Sequence, residues 1–253
     1  MNSSPSHRHG FTLMEILVVL AIIVVLFALA VPVFSSLITR GYQAAALTNM
    51  RNLGTAFVTF AGDNNGRFPI EDAPGSNSWD AAARPENQTV WYNALPHILG
   101  QRTVGEFAAA PRAYYLKSNV LFLPGAKYPV GDSRLERPLF AIAMNSRLQR
   151  KNAAGIKPDG RLPQVAHPST TVLFFEQGLK DEKKSYGAQG RYDGAPKGTA
   201  RSFVARYNGK GVLCFLDGHA AIFKPADLLT ETGALPFPQL DVSWTLDPEV
   251  NPN

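Results

Sequence analysis

The stretch HGFTLMEILVVLAIIVVLFALAVPVF, residues 9–34, places a glutamate, Glu15, at the start of a long apolar run. Residues 16–34 are uncharged, and Pro32 alone interrupts the run of good helix formers. A helix of that length spans roughly 28 Å, which is close to the hydrocarbon thickness of a bilayer. A membrane helix, a secretory signal peptide and a buried core helix are the three interpretations. No polar face recurs at the helical period, which disfavours the core helix.

The signal-peptide interpretation has support from two features. Arg8 supplies a basic region before the apolar run, and residues 28–30 read Ala-Leu-Ala, a cleavage pattern that would release a body beginning at Val31. Glu15 argues against it, because signal peptides have no use for an acid at the mouth of the apolar region. Pro32 would also fall just after that cut.

The glutamate is costly inside a membrane. A charge in the hydrocarbon costs about 2.5–3.5 kcal/mol on the mild insertion scale. If the chain is cut between Gly10 and Phe11, the new positive amine at Phe11 lies four residues from Glu15. Glu15 would then neutralise that terminus or the terminus of a neighbouring copy. The second option turns a cost in the monomer into a drive toward assembly.

Gly10-Phe11-Thr12-Leu13-Met14-Glu15, followed by the apolar run, resembles the processing site of type IV pilin-like proteins, including the pseudopilins of type II secretion. The resemblance implies that prepilin peptidase, a membrane aspartyl peptidase and methyltransferase, cuts after Gly10 and methylates the Phe11 amine. Glu15 would pair with the Phe11 amine of an adjacent subunit, and Pro32 stands where this family carries a helix-kinking proline. Implied partners are other pilin-like subunits, an inner-membrane assembly platform and its cytoplasmic ATPase.

The charge pattern predicts the orientation. Residues 1–10 carry Arg8 and no acid, so this segment is expected to remain cytoplasmic. The protein is therefore expected to be a single-pass inner-membrane protein with a periplasmic body. After processing it would lie in a periplasmic or cell-surface filament.

The predicted fold is α+β, with a long N-terminal helix packed on an antiparallel sheet in the manner of pilins. The predicted parts are a leader (1–10), a transmembrane and assembly helix (11–34), an amphipathic helix (35–62), a periplasmic body (63–223) and a proline-rich strap (224–253). The amphipathic helix is predicted from apolar residues that recur every three or four positions. These residues are Tyr42, Ala46, Met50, Leu53, Phe57 and Phe60.

The body reads as loops and short strands after a turn at residues 63–66. The predicted strands cover residues 120–123, 139–143, 171–176, 202–207, 212–216 and 220–223, with a short helical turn at 90–96. Few of the strands alternate cleanly, which predicts burial on both faces. Asp217-Gly218 between the last two is a hairpin signal.

A second resemblance lies near the C-terminus. Residues 206–209 and 217–219 resemble the signature of a pilin-like family of Planctomycetes and Verrucomicrobia, which has a histidine, nine residues and then Asp-Gly. Tyr207 stands at the histidine position, so the role of that position is open. Leu123-Pro124 stands where relatives often show Cys-Pro.

Composition and motifs argue against several other classes. The net charge of +5 is scattered among acids, so no basic stripe predicts nucleic-acid binding. Cys214 is the single cysteine, so no intrachain disulfide can form. No G-x-S-x-G, Walker A, C-x-x-C or H-E-x-x-H motif occurs, so no enzyme and no cofactor are predicted.

Two places are weak candidates for metal binding. Asp217 and His219 are two residues apart across the predicted hairpin, and Asp63 and Asn65 place oxygen ligands in a turn. Neither place has a full ligand set, so turn chemistry is the better interpretation and no metal is predicted.

The sequence therefore predicts a structural subunit of a type IV pilus-like or type II secretion pseudopilus filament. Two alternatives stay open. One is a processed membrane anchor that displays a ligand-binding body without polymerising, and the other is a domain secreted by cleavage after Ala30. The sequence does not distinguish a secretion pseudopilus from an adhesion or DNA-uptake pilus, or a major from a minor subunit.

Overall fold

The computed structural model describes residues 13–73, 77–116, 119–129, 131, 136–149, 160–186, 190–230, 233–239 and 241–249. The side chains of residues 29, 30, 32 and 33 are outside this description. The chain forms two compact units, residues 1–41 and residues 42–253. Helix α1 (Leu13–Asp63) provides the described part of the first unit and the beginning of the second.

In the second unit, α1 is amphipathic as predicted. Ala46, Met50, Leu53 and Phe57 are fully buried, and they recur at the spacing that places them on one helical face. Tyr42 and Phe60 are partly buried against the same core.

The turn after α1 ends the helix with left-handed residues. Asn65 has φ of 55° and Gly66 of 78°, and the Gly66 amide donates to the Ala61 carbonyl over 2.7 Å. This is a common way to satisfy the last carbonyls of a helix.

Short helices follow, among them α2 (Trp79–Ala83), α3 (Trp91–Ile98) and α4 (Pro111–Tyr114). The predicted helical turn at 90–96 is thus confirmed as part of α3. These helices contribute an aromatic cluster in which Trp91 packs on Phe174 at 4.9 Å between ring centroids.

The sheet has five strands: β1 (Ile142–Asn145), β2 (Val172–Glu176), β3 (Lys197–Gly198), β4 (Gly211–Phe215) and β5 (Ala220–Phe223). Their order is β3-β1-β2-β4-β5, so β3 and β5 are the edges. The fold is α+β as predicted, but the sheet is mixed rather than antiparallel, because β1 and β3 run parallel.

Both faces of the central strands are buried, which explains why they read as continuous apolar runs. Phe174 and Cys214 belong to the core cluster that includes the buried face of α1. Phe175 and Phe215 belong to a second cluster, which contains Leu228, Leu235 and Trp244 from the C-terminal segment.

The C-terminal segment is tied to the sheet by backbone bonds. The Val172 amide donates to the Ser243 carbonyl over 2.8 Å, and the Ser243 amide donates to the Thr170 carbonyl over 2.7 Å. The Asn145 side-chain amide donates to the carbonyls of Val172 and Trp244.

Two predicted strands are wrong. Val120, Leu121 and Leu123 are buried, but residues 120–123 form no strand. Side chains rather than a neighbouring strand satisfy two of their amides: the Leu121 amide donates to Asn119 and the Leu123 amide to Tyr128. Residues 202–207 form the end of a 3₁₀ turn (Ala200–Ser202) and isolated bridges. The strand predicted at 139–143 begins later, at Ile142.

Candidate functional site

The first unit exposes an apolar surface around α1. Every described side chain from Leu13 to Phe27 is exposed, and the described large apolar side chains between Leu13 and Phe34 are 40–83% exposed. Full burial of one such side chain is worth about 1.5–3 kcal/mol. A helix that exposes apolar side chains on all sides gains this free energy when it is buried among other helices or in lipid.

Glu15 lies in the first turn of α1 and is exposed. A carboxylate there interacts favourably with the positive end of the helix dipole, which contributes typically 0.3–1 kcal/mol. Gly10 and Phe11, the predicted cleavage residues, lie outside the described residues. Pro32 lies within α1, which continues across it to Asp63, and its side chain is outside the description.

The predicted membrane span has no direct structural support. Among the residues that the structure describes, no helix has both the length and the sustained apolarity needed to cross a membrane.

The weak metal candidates are accounted for by turns. Asp217 and His219 bond to each other, with 2.6 Å between Asp217 Oδ1 and His219 Nδ1, and the imidazole stacks on Phe215 at 4.4 Å. The Asn65 carbonyl accepts from Arg161, and Asp63 is exposed at the end of α1. Within the described parts of the chain, no three His, Cys, Asp or Glu residues are grouped closely enough to hold a metal ion.

The body contains a buried ion cluster that the sequence analysis missed. The Arg206 guanidinium donates from Nε and Nη2 to both carboxylate oxygens of Glu182, over 2.7 and 2.6 Å. Its Nη1 donates to Glu176 Oε2 over 3.1 Å. The three side chains are only 3%, 5% and 0% exposed in the order Arg206, Glu182, Glu176.

One arginine faces two glutamates, so ionisation of both carboxyl groups would leave a charge that Arg206 alone does not balance. Burial raises the pKa of Glu176 to about 7, although the nearby Arg206 acts to lower it. The cluster also joins distant backbone, because Arg206 donates to the carbonyls of Ala141 and Gln177, and Glu182 accepts from the Leu179 and Lys127 amides. The ion cluster therefore holds the loops that carry Lys127, Glu182 and Arg206 against the sheet.

The Tyr207 side chain is buried and hydrogen-bonded. Its hydroxyl donates to the Pro124 carbonyl over 3.2 Å, and burial raises its pKa above the ordinary tyrosine value. Tyr207 therefore contacts the Leu123-Pro124 segment. The signal that could have located the ion cluster is the arginine next to Tyr207 in the apolar run at 203–207, since a buried arginine needs acidic partners.

Comparison with known proteins identifies the N-terminal part of the chain. The family model of the prokaryotic N-terminal methylation motif matches residues 5–31. No curated protein and no solved structure is significantly similar to the chain. The match supports a pilin-like precursor that prepilin peptidase processes. Proteins with this motif are structural subunits rather than enzymes.

Proposed function

We propose that the protein is a filament subunit of a type IV pilus-like or type II secretion pseudopilus system, cut after Gly10 and methylated at Phe11. The observation that carries the proposal is the methylation-motif match over residues 5–31, which covers the start of the exposed apolar surface of α1. The likeness of residues 206–219 to the C-terminal signature of pilin-like proteins gives further support.

The exposed apolar surface supports assembly through helix packing. Side chains such as Leu13, Leu20 and Phe27 are 83%, 56% and 66% exposed, so each can bury a large area against a neighbouring helix. Before assembly, residues 11–34 would be held in the inner membrane with residues 1–10 in the cytoplasm and the body in the periplasm. Extraction of the helix from the lipid then requires the platform protein and its cytoplasmic ATPase.

Glu15 would set the register of that packing. Phe11 and Glu15 are four positions apart in the sequence, which is about one turn's length in a helix, so a Phe11 amine and a Glu15 carboxylate could meet between adjacent subunits offset along the helix axis. In a low-dielectric surrounding this charge pair is far stronger than in water. The pair would remove the cost of both charges only in the assembled state. Pro32 would adjust the path of the helix within the packed bundle.

The first experiment is the mass and N-terminal sequence of the mature protein from its native host. A methylated Phe11 start is the expected result. A start at Val31 would overturn the proposal, because it would show release by signal peptidase. An unprocessed Met1 start would overturn it as well.

The second experiment tests assembly in the same host. Glu15→Ala should leave cleavage intact and abolish recovery of the protein in sheared or cross-linked filaments. Glu86→Ala, which removes an exposed acid of the second unit, is the matched control and should assemble normally. Normal assembly of Glu15→Ala would refute the charge-pair mechanism, and processed wild-type protein that never polymerises would favour a simple anchor.

A further inference from the structure

The sequence contains two asparagine-glycine pairs, and both form left-handed turns. The pairs are Asn65-Gly66, after α1, and Asn208-Gly209, before β4. All four residues have positive φ, between 52° and 78°. In this dipeptide the asparagine side chain can react with the backbone amide that follows it, because glycine places no Cβ in the path of the attack. The surroundings of each pair therefore decide whether it reacts.

Hydrogen bonds hold the first pair at several points. The Gly66 amide donates to the Ala61 carbonyl over 2.7 Å, so the nitrogen that would attack is already engaged. The Gly66 carbonyl accepts from the Leu162 amide over 2.8 Å, and the Asn65 carbonyl accepts from Arg161 Nη1 over 3.2 Å. These bonds oppose the backbone rotation that the reaction requires.

The second pair is open by comparison. Asn208 and Gly209 are exposed at the tip of a two-residue hairpin loop, which two backbone bonds between Tyr207 and Lys210 close. Within the described chain, no group accepts from the Gly209 amide. A Cβ added to Gly209 would meet no described heavy atom within 4 Å. The ends of this loop are therefore fixed, whereas its central peptide has room to rotate.

We propose that Asn208 is a site of spontaneous deamidation, at which the protein modifies itself without an enzyme. The Gly209 nitrogen, after losing its proton to hydroxide, attacks the side-chain carbonyl carbon of Asn208. The bond from that carbon to the side-chain nitrogen breaks, and ammonia leaves. Water then opens the resulting succinimide at either carbonyl, which gives aspartate or isoaspartate. The net reaction consumes one water and releases one ammonia.

The two products differ in their effect on the loop. Aspartate leaves the backbone unchanged and adds one negative charge. Isoaspartate carries the main chain through its side-chain carbon, so the loop becomes one backbone atom longer. The paired bonds between Tyr207 and Lys210 depend on the length of that loop, and Tyr207 follows Arg206 of the buried ion cluster. Isoaspartate should therefore destabilise this part of the body, whereas aspartate should not.

The test is peptide mapping of the purified full-length protein in detergent after incubation at pH 8 and 37 °C. Lys-C releases residues 198–210 as one peptide and trypsin releases residues 52–67, so each pair is followed on its own peptide. Digestion at mildly acidic pH prevents further deamidation. In the folded protein, Asn208 should deamidate at least tenfold faster than Asn65, with aspartate and isoaspartate as separate chromatographic peaks.

Unfolding supplies the matched control. Guanidinium chloride removes the hydrogen bonds at both turns, so the two pairs should then deamidate at similar rates. Asn208→Gln should abolish isoaspartate formation in the Lys-C peptide, because its longer side chain would have to close a six-membered ring. Asn208→Asp should unfold at the wild-type temperature, whereas protein enriched in isoaspartate should unfold at a lower one.

Three results would overturn the proposal. The first is deamidation of Asn65 in the folded protein that is as fast as that of Asn208. The second is intact Asn208 in the folded protein after a time in which the unfolded chain reacts completely. The third is a difference between the two pairs that persists in guanidinium chloride, because local sequence rather than structure would then be its cause. None of these results depends on filament assembly, since the reaction is measured on detergent-solubilised protein.

Discussion

Gly54 is where α1 passes closest to the β4–β5 hairpin, and its substitution gives a sharp test of the fold. A Cβ at this position would lie 2.5 Å from the Gly218 carbonyl oxygen, 2.9 Å from the Gly218 carbonyl carbon and 2.8 Å from Cys214 Sγ. Two of these three atoms are backbone, which cannot move aside as a flexible side chain can. Helix and hairpin would have to separate by several tenths of an ångström.

The expected magnitude is the balance of two terms. Replacing glycine by alanine inside a helix normally stabilises it by roughly 1 kcal/mol. Overpacking of a well-packed core costs about 1–3 kcal/mol, and the backbone contacts place Gly54 in the upper part of that range. Gly54→Ala should therefore lower the free energy of unfolding by about 1–2 kcal/mol.

Gly62 provides the matched control in the same helix. An added Cβ there meets no heavy atom within 4 Å, so Gly62→Ala gains the helix propensity alone and should raise stability by up to about 1 kcal/mol. Thermal unfolding followed by circular dichroism should separate the two variants, at about 2–4 °C per kcal/mol for a chain of this size. If Gly54→Ala is as stable as Gly62→Ala, the close approach of helix and hairpin is wrong.

The buried ion cluster gives two further predictions. Burial raises the pKa of Glu176 to about 7, so between about pH 4.5 and 7 the carboxyl group is protonated in the folded state and ionised in the unfolded state. The free energy of unfolding should therefore fall as the pH rises through this range. Urea unfolding across this range should show that Glu176→Gln loses this contribution, at most about 1.4 kcal/mol per pH unit; an unchanged pH profile would contradict the assignment. Arg206→Met leaves Glu176 and Glu182 buried without their cation and should cost about 3–5 kcal/mol by the same assay, whereas Arg191→Met on the surface should be near neutral.

The elements that the sequence predicted correctly are those specified locally. The buried face of α1 follows from residues three and four apart, and Met50, Leu53 and Phe57 are all fully buried. β5 was predicted at 220–223 because the Asp217-Gly218 turn fixes where the strand can begin. Residues 120–123 have the composition of a strand, but side-chain acceptors replaced the partner strand, and no local pattern reveals that.

The candidate sites divide in the same way. The processing motif and Glu15 are readable because they form one continuous stretch. Arg206 binds carboxylates that lie 24 and 30 residues away in the sequence. That arrangement depends on the sheet order, which neither periodicity nor turn residues specify.

The Asp217-Gly218 turn is best understood through the same contact between helix and hairpin. Gly218 has φ of 91°, which favours glycine, and its carbonyl faces the bare backbone of Gly54. Asp217 accepts from the His219 amide and holds the tight turn, and the His219 ring covers Phe215. Each of these residues has a packing role that requires no bound metal. A side chain at either glycine would push α1 away from the β4–β5 hairpin. Gly54 and Gly218, although distant in the sequence, are therefore both needed for the close packing of α1 on the hairpin.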